Sequence, residues 1–150
     1  MNNPESERQG QSLIRKTVEG GLSTMAQKIL ITLNSGPGDP GTATAAFMAA
    51  RGLVEKGHDV SIFLLNDAVY LMMEEVQENI QGCGFPPFEE FFLSLTLNNK
   101  IPIYIGQSCA VGRGISDEKG NIKIEINYGE IAGSDKLTEL IVEADKVINF

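Results

Sequence analysis

The sequence is short of the residues from which most catalytic and metal centres are built. Its 150 residues include two cysteines, Cys83 and Cys109, and one histidine, His58. Two thiols are too few for a disulfide framework. Far apart and distant from the histidine, they do not match common zinc-ligand spacings, so no metal is expected. His58 follows Gly57, which reads as a helix stop, and opens an apolar run. That places it at the start of a strand and gives little support to Ser-His-Asp or Cys-His catalysis. No apolar run approaches the ~20 residues that span a bilayer. The first 26 residues carry Arg8, Arg15 and Lys16 but no apolar signal core, so neither a membrane anchor nor a secretory signal is expected. Basic residues are scarce as well. Twelve Lys and Arg stand against twenty Asp and Glu, for a net charge of −8 and a pI near 4.6. Such a balance argues against a nucleic-acid backbone or an anionic membrane surface as partner. The expected setting is the cytoplasm, with both thiols reduced.

What is present is a core. Hydrophobic residues make up 42% of the chain, enough for one packed domain. Residues 1–26 read as a polar extension in which Leu13, Ile14 and Val18 make one weak amphipathic turn suited to a subunit contact. Met25 is an alternative start. From Lys28 the pattern is regular. Residues 28–34 form a β-branched, nearly continuous apolar run, as in a strand buried on both faces, and 58–65, 101–106 and 146–150 read as further strands. Between them, 42–56, 68–76, 88–99 and 134–144 have helical spacing, with Gly57 a stop and Ser134 a cap. Ile122, Ile124 and Ile126 alternate with charged residues and suggest a half-exposed strand or extended segment. The alternation predicts an α/β domain with a mostly parallel sheet and helices on both faces. Phe85, Phe88, Phe91, Phe92, Tyr70, Met72 and Met73 form a conspicuous aromatic and methionine set. One core of this size need not bury all of it, which points to a homo-oligomer contact.

In parallel sheets of this kind the ligand crevice lies outside the carboxyl ends of the strands. Three loops fall there. The first holds Asn34, Ser35, Gly36 and Asp39. Its amides and the following helix N-terminus suit an anion, although it is neither a Walker loop nor a dinucleotide fingerprint. A rigid turn and helix entry is the plainer reading of this loop. The second loop holds Asn66 and Asp67, which suit a helix cap. The third holds Ser108, Cys109, Arg113 and Gly114. Cys109 follows a buried strand and a turn leading into a short helix, where the positive end of the helix dipole favours the thiolate. Arg113, four residues on, returns to the same face and is expected to support that thiolate. Cys109 also fits the plainer description of a small buried apolar residue. Cys83 lies in a Gly-Cys-Gly loop, either as a second thiol or as an incidental one.

Several segments together resemble the DsrE/DsrF-like family of sulfur-relay and related small proteins, which includes the TusD-type subunits. They are the run from Lys28 to Leu33 with Ser35-Gly36-Pro37-Gly38-Asp39-Pro40, then Glu55-Lys56-Gly57-His58-Asp59-Val60, then Phe63-Leu64-Leu65-Asn66-Asp67-Ala68-Val69. Cys109 with Arg113-Gly114-Ile115 follows, and Ala144-Asp145-Lys146-Val147-Ile148-Asn149-Phe150 closes the set. The resemblance spans residues 27–150. It implies a three-layer α/β/α domain of about five strands, oligomeric and cytoplasmic. It implies that Cys109 carries a persulfide between sulfur donor and acceptor proteins, with no cofactor. Sulfur-relay members have a longer stretch between the cysteine and the Arg-Gly pair than the Ala110-Val111-Gly112 found here. Three functions follow from the sequence: a persulfide carrier acting through Cys109; a module that binds a small anion or nucleotide-like ligand, with Cys109 only lining the rim; or a structural subunit of an oligomer.

Overall fold

A computed structural model describes residues 25–150. The amphipathic turn expected at Leu13 to Val18 lies outside the described residues. Five strands form one sheet: β1 (Lys28–Leu33), β2 (Asp59–Leu64), β3 (Ile103–Gly106), β4 (Glu130–Ala132) and β5 (Lys146–Asn149). Their order is β4-β3-β2-β1-β5, and every pair is parallel. Parallel neighbours need crossover connections, and the helices supply them. They are α1 (Pro40–Glu55), α2 (Glu74–Asn79), α3 (Phe88–Leu93), α4 (Gln107–Gly112) and α5 (Ser134–Glu143).

The pleat sends alternate residues to opposite faces. Ile29, Ile31 and Leu33 join Val60, Ile62, Leu64, Ile103 and Ile105 in the main core, which Phe47 of α1 and Phe88, Phe91 and Phe92 of α3 complete. Leu30 and Phe63 point the other way, onto Leu137 and Leu140 of α5. This two-sided burial is why the strand runs are continuously apolar. The aromatic set is largely internal. Phe88, Phe91, Phe92 and Met72 are buried, and Phe88 meets Phe47 edge-on at 4.6 Å between ring centres. These four side chains therefore belong to the monomer core and not to a contact surface. The large exposed apolar residues are others, among them Leu97 and Val142.

Helix α1 shows the local rules clearly. Pro40 opens it, where a missing N–H costs nothing. Asp39 caps it by accepting from the Thr42 N–H at 3.1 Å. Ala43, Ala46, Phe47 and Ala50 make its buried stripe at helical spacing. Gly57, with φ of +86°, turns the chain out of it.

Three expectations need correction. The helix expected over 68–76 is a 3₁₀ segment (Asn66–Met72) followed by α2, with extended backbone at Met73 between them. Ala68 and Leu71 are both buried, as are Val69 and Met72. Spacings of three suit a helix of three residues per turn. The helix expected over 88–99 changes winding partway, α3 passing into a π-turn (Ser94–Asn98). The segment at 122–126 lies outside the sheet, and Ile122 forms an isolated antiparallel bridge with Ser116, itself outside the strands. The fifth strand is β4, three residues long and too short to show a period.

The 122–128 segment is fastened to the helical layer by amides. Asn127 Nδ2 donates to Gln77 Oε1 at 2.7 Å, and Gln77 Nε2 donates back to Asn127 Oδ1 at 2.8 Å and to the Leu71 carbonyl at 2.8 Å. Tyr128 donates its hydroxyl to the Ile101 carbonyl at 2.7 Å. Gln77 is buried, so its loss leaves unpaired polar groups inside. Gln77→Leu is expected to lower unfolding stability by about 1–3 kcal/mol, read as a lower urea midpoint. An unchanged midpoint would show that the amide pair contributes nothing.

The Asp39 cap has a pH signature. Hydrogen bonds from the Thr42 side chain and backbone hold its carboxyl below the ordinary value of 3.8. A carboxylate with a depressed folded-state value stabilises above its unfolded value and loses that contribution as pH falls through the folded one. The stability gap between wild type and Asp39→Ala should be full near neutrality and shrink below pH 3.8. Thermal unfolding of both proteins across an acid series checks this.

Candidate functional site

A chain of hydrogen bonds runs along the carboxyl ends of β5, β1, β2 and β3. It begins where β1 and β5 pair, with Thr32 opposite Asn149. Thr32 Oγ1 and Asn34 Nδ2 both donate to Asn149 Oδ1 at 2.8 Å. The Asn34 N–H donates to the Phe150 carbonyl at 3.0 Å. Asn34 Oδ1 then accepts from Asn66 Nδ2 at 3.1 Å. Asn66 has φ of +49°, a left-handed conformation that asparagine tolerates better than most residues. It turns the chain sharply at the end of β2 and aims Asp67 along the rim.

Gly36 makes that turn possible. A Cβ at this position would overlap the backbone carbonyl of Asp67. No other residue lets the first loop lie so close to the second. Asp67 itself is not a helix cap. It lies in the first turn of the 3₁₀ segment, whose cap position is Leu65, and its carboxylate faces Arg113.

The third loop starts without the expected turn. β3 ends at Gly106, and α4 begins at Gln107, which places Cys109 inside its first turn. Ala110 is buried, Ser108 is exposed, and Cys109 lies between the two, packed against the main core. The thiol is free. Gly114, with φ of +71°, ends the loop, and the Ile115 N–H returns to the Ala110 carbonyl at 2.9 Å.

Arg113 departs from its expected role. Its Nε and Nη2 both reach Asp67 Oδ1, each at 2.9 Å. Its Nη1 donates to the Cys109 carbonyl at 3.2 Å. The guanidinium thus joins the acid of the second loop to the backbone of the third. The reason is position. Four residues after Cys109 in so short a helix, Arg113 falls at the C-terminal end, where carbonyls lack helical partners.

The first loop is likewise more structural than expected. The Asp39 carboxylate occupies the N-terminus of α1, where an exogenous anion would have bound. Ser35 is half-buried and Gly36 buried beneath the rim. Cys83 is exposed on a loop whose Gly82 backs closely onto Gly41 at the start of α1. His58 lies at the other end of the sheet, where its Nδ1 accepts the Gln27 N–H at 3.1 Å. Among the described residues no cluster of three metal-binding side chains occurs, and no helix is long and apolar enough to cross a membrane.

The structure therefore brings Asn34, Gly36, Asn66, Asp67, Cys109 and Arg113 into one bonded rim. Ser35, Asp39, Ser108 and Gly114 border it. Thr32 and Asn149 belong to it too. Their one signal in the sequence is a polar residue at the carboxyl end of each of two apolar strands. Cys109 is thus a free, half-buried thiol in the first turn of a helix, beside backbone amides without helical partners.

The comparisons agree with this architecture. No curated protein matches the chain. Among solved structures, the YchN protein of E. coli matches with a TM-score of 0.66 and 27% sequence identity, over 83% of this chain and 99% of that one. The DsrE/DsrF-like family model covers residues 27–150, from just before β1 to the residue after β5. With the fold, the rim and the whole described core inside that match, the chain belongs to the DsrE/DsrF-like family.

Proposed function

We propose that this protein is a sulfur carrier in which Cys109 holds sulfane sulfur as a persulfide and passes it to an acceptor thiol. The observation that carries the reading is the place of Cys109, a half-buried free thiol in the first turn of α4, on the carboxyl rim of a fold whose family is associated with sulfur relay. In the loading step the Cys109 thiolate attacks the outer sulfur of a donor persulfide. A new S–S bond forms on Cys109, and the donor leaves as a thiolate. In the unloading step an acceptor thiolate attacks the outer sulfur, and Cys109 leaves as the thiolate. No net oxidation occurs and no cofactor is needed. Donor and acceptor are the partners this chemistry requires. A reducing compartment such as the cytoplasm keeps the thiol available.

Arg113 serves this reading as an anchor for the Cys109 backbone, and Asn34, Asn66 and Asp67 as the wall that holds it. The other reading is a module that binds an anion or nucleotide-like ligand on the same rim. The Asp39 carboxylate stands against it, since it already occupies the helix N-terminus of the first loop.

Intact mass after exposure to a sulfane-sulfur donor should show a gain of one sulfur atom, localised to Cys109. Cys109→Ser should abolish the gain with an unchanged circular dichroism spectrum, and Cys83→Ser should keep it. Arg113→Ala should slow loading about tenfold, the kinetic equivalent of one charge-assisted hydrogen bond. If Cys109 proves inert while Cys83 loads, the carrier reading fails. A small ligand retained through purification would then favour the binding module.

The exposed side chains of Leu97 and Val142, with the oligomers common in this family, lead us to include self-association in the proposal. Light scattering at micromolar concentration should give a mass that is a multiple of the chain mass of 16.3 kDa. A monomer at every concentration would end that part of it.

A further inference from the structure

The rim holds a charge pair whose members come from different loops. All three guanidinium nitrogens of Arg113 are engaged, two by one oxygen of Asp67 at 2.9 Å and the third by the Cys109 carbonyl at 3.2 Å. Asp67 is fixed from behind as well. Its backbone carbonyl lies against Gly36, and its neighbour Asn66 is bonded to Asn34. The Arg113 side chain is 26% exposed, so water screens it less than it would a free surface arginine. The cation nearest in sequence to Cys109 is thus already neutralised. An approaching anion meets a paired charge, whose field falls off faster than that of a single cation, on a protein of net charge −8.

We propose that Asp67 is a positioning residue that sets the charge selectivity of Cys109. By holding and neutralising Arg113, it keeps the thiol site unattractive to free small anions, inorganic sulfur oxyanions included. The inference rests on the reading of Cys109 as the reactive thiol but not on sulfur uptake. Removing the Asp67 charge leaves Arg113 on the Cys109 carbonyl with its Nε and Nη2 donors unpaired beside the site. The site would then attract anions.

The test is alkylation by one anionic reagent and one neutral reagent of the same size, iodoacetate and iodoacetamide. Rates are read at each cysteine by mass spectrometry, with exposed Cys83 as the reference inside the same molecule. Asp67→Asn should raise the iodoacetate-to-iodoacetamide ratio at Cys109 by about two- to threefold, as one unit charge several ångströms away does in a water-like dielectric. The ratio at Cys83 should not move. Arg113→Gln should shift the Cys109 ratio the opposite way, because it leaves the Asp67 carboxylate unpaired. Asp67→Glu should restore the wild-type ratio, which a loss of packing would not do. High salt should flatten these differences. A Cys109 ratio indifferent to both Asp67→Asn and Arg113→Gln, or a shift shared equally by Cys83, overturns the inference. Sulfur loading of the wild type is measured separately. Failure to load with a responsive ratio would reject the carrier function and leave the role of Asp67 standing.

Discussion

The contact between Gly36 and the carbonyl of Asp67 is the constraint on which the site depends. Side-chain bonds can adjust by a rotamer, but two backbones in van der Waals contact cannot separate without moving the strands behind them. Here those strands are β1 and β2, paired in register from Lys28–Asp59 to Leu33–Leu64 and buried on both faces. The close approach sets where Asp67 stands, Asp67 sets where Arg113 stands, and Arg113 holds the backbone of Cys109. Rigidity passes from the sheet to the Cys109 backbone in three contacts, the first a close backbone packing and the other two hydrogen bonds donated by Arg113.

The core explains why such a short helix can hold Cys109 in place. Six residues make too few helical bonds to persist alone. Helix α4 is held by what surrounds it. Its inner residue Ala110 is buried in the main core, the Ala110 carbonyl accepts from the Ile115 N–H, and Arg113 closes its C-terminal end. Gly106, at the end of β3, lies tightly against the Leu64 carbonyl, so strand and helix join without a connecting turn. The absence of that turn brings Cys109 nearer to the sheet than its sequence position suggests.

Much of this was legible in the sequence, for reasons that also mark where legibility stops. The runs in β1, β2 and the end of β3 are apolar because both faces are covered, so they read clearly as strands. The loops at Asn34, Asn66 and Cys109 follow those strands, so their meeting on one rim followed from parallel topology alone. The partner of Arg113 was not readable. Asp67 is 46 residues away, and local spacing instead suggested the thiol on the same helix face. From sequence Asp67 reads as a cap, because a polar residue after a strand and before a helical pattern usually is one. Strand β4 leaves no trace in the sequence because its three residues carry no period, while the three alternating isoleucines nearby carry one and lie outside the sheet. The aromatic set misled for a related reason. Apolar count alone does not separate a monomer core from a contact surface, and Phe88, Phe91 and Phe92 pack inward against Phe47.

The arrangement also limits how the thiol can be activated. A guanidinium pointed at the sulfur would stabilise the thiolate directly. Here that group is engaged by a carboxylate and a carbonyl, and it contributes order in place of charge. What is left beside Cys109 is the backbone of the first turn of α4, whose N–H groups have no helical partners. Backbone amides stabilise a developing negative charge without attracting free anions from a distance, because their field is dipolar and short in range. On the proposed carrier reading, a site built this way favours a sulfur delivered to it over an anion in solution. That property suits a carrier, which must hold a reactive sulfur on an acidic protein and release it to a chosen thiol instead of exchanging it with whatever diffuses past.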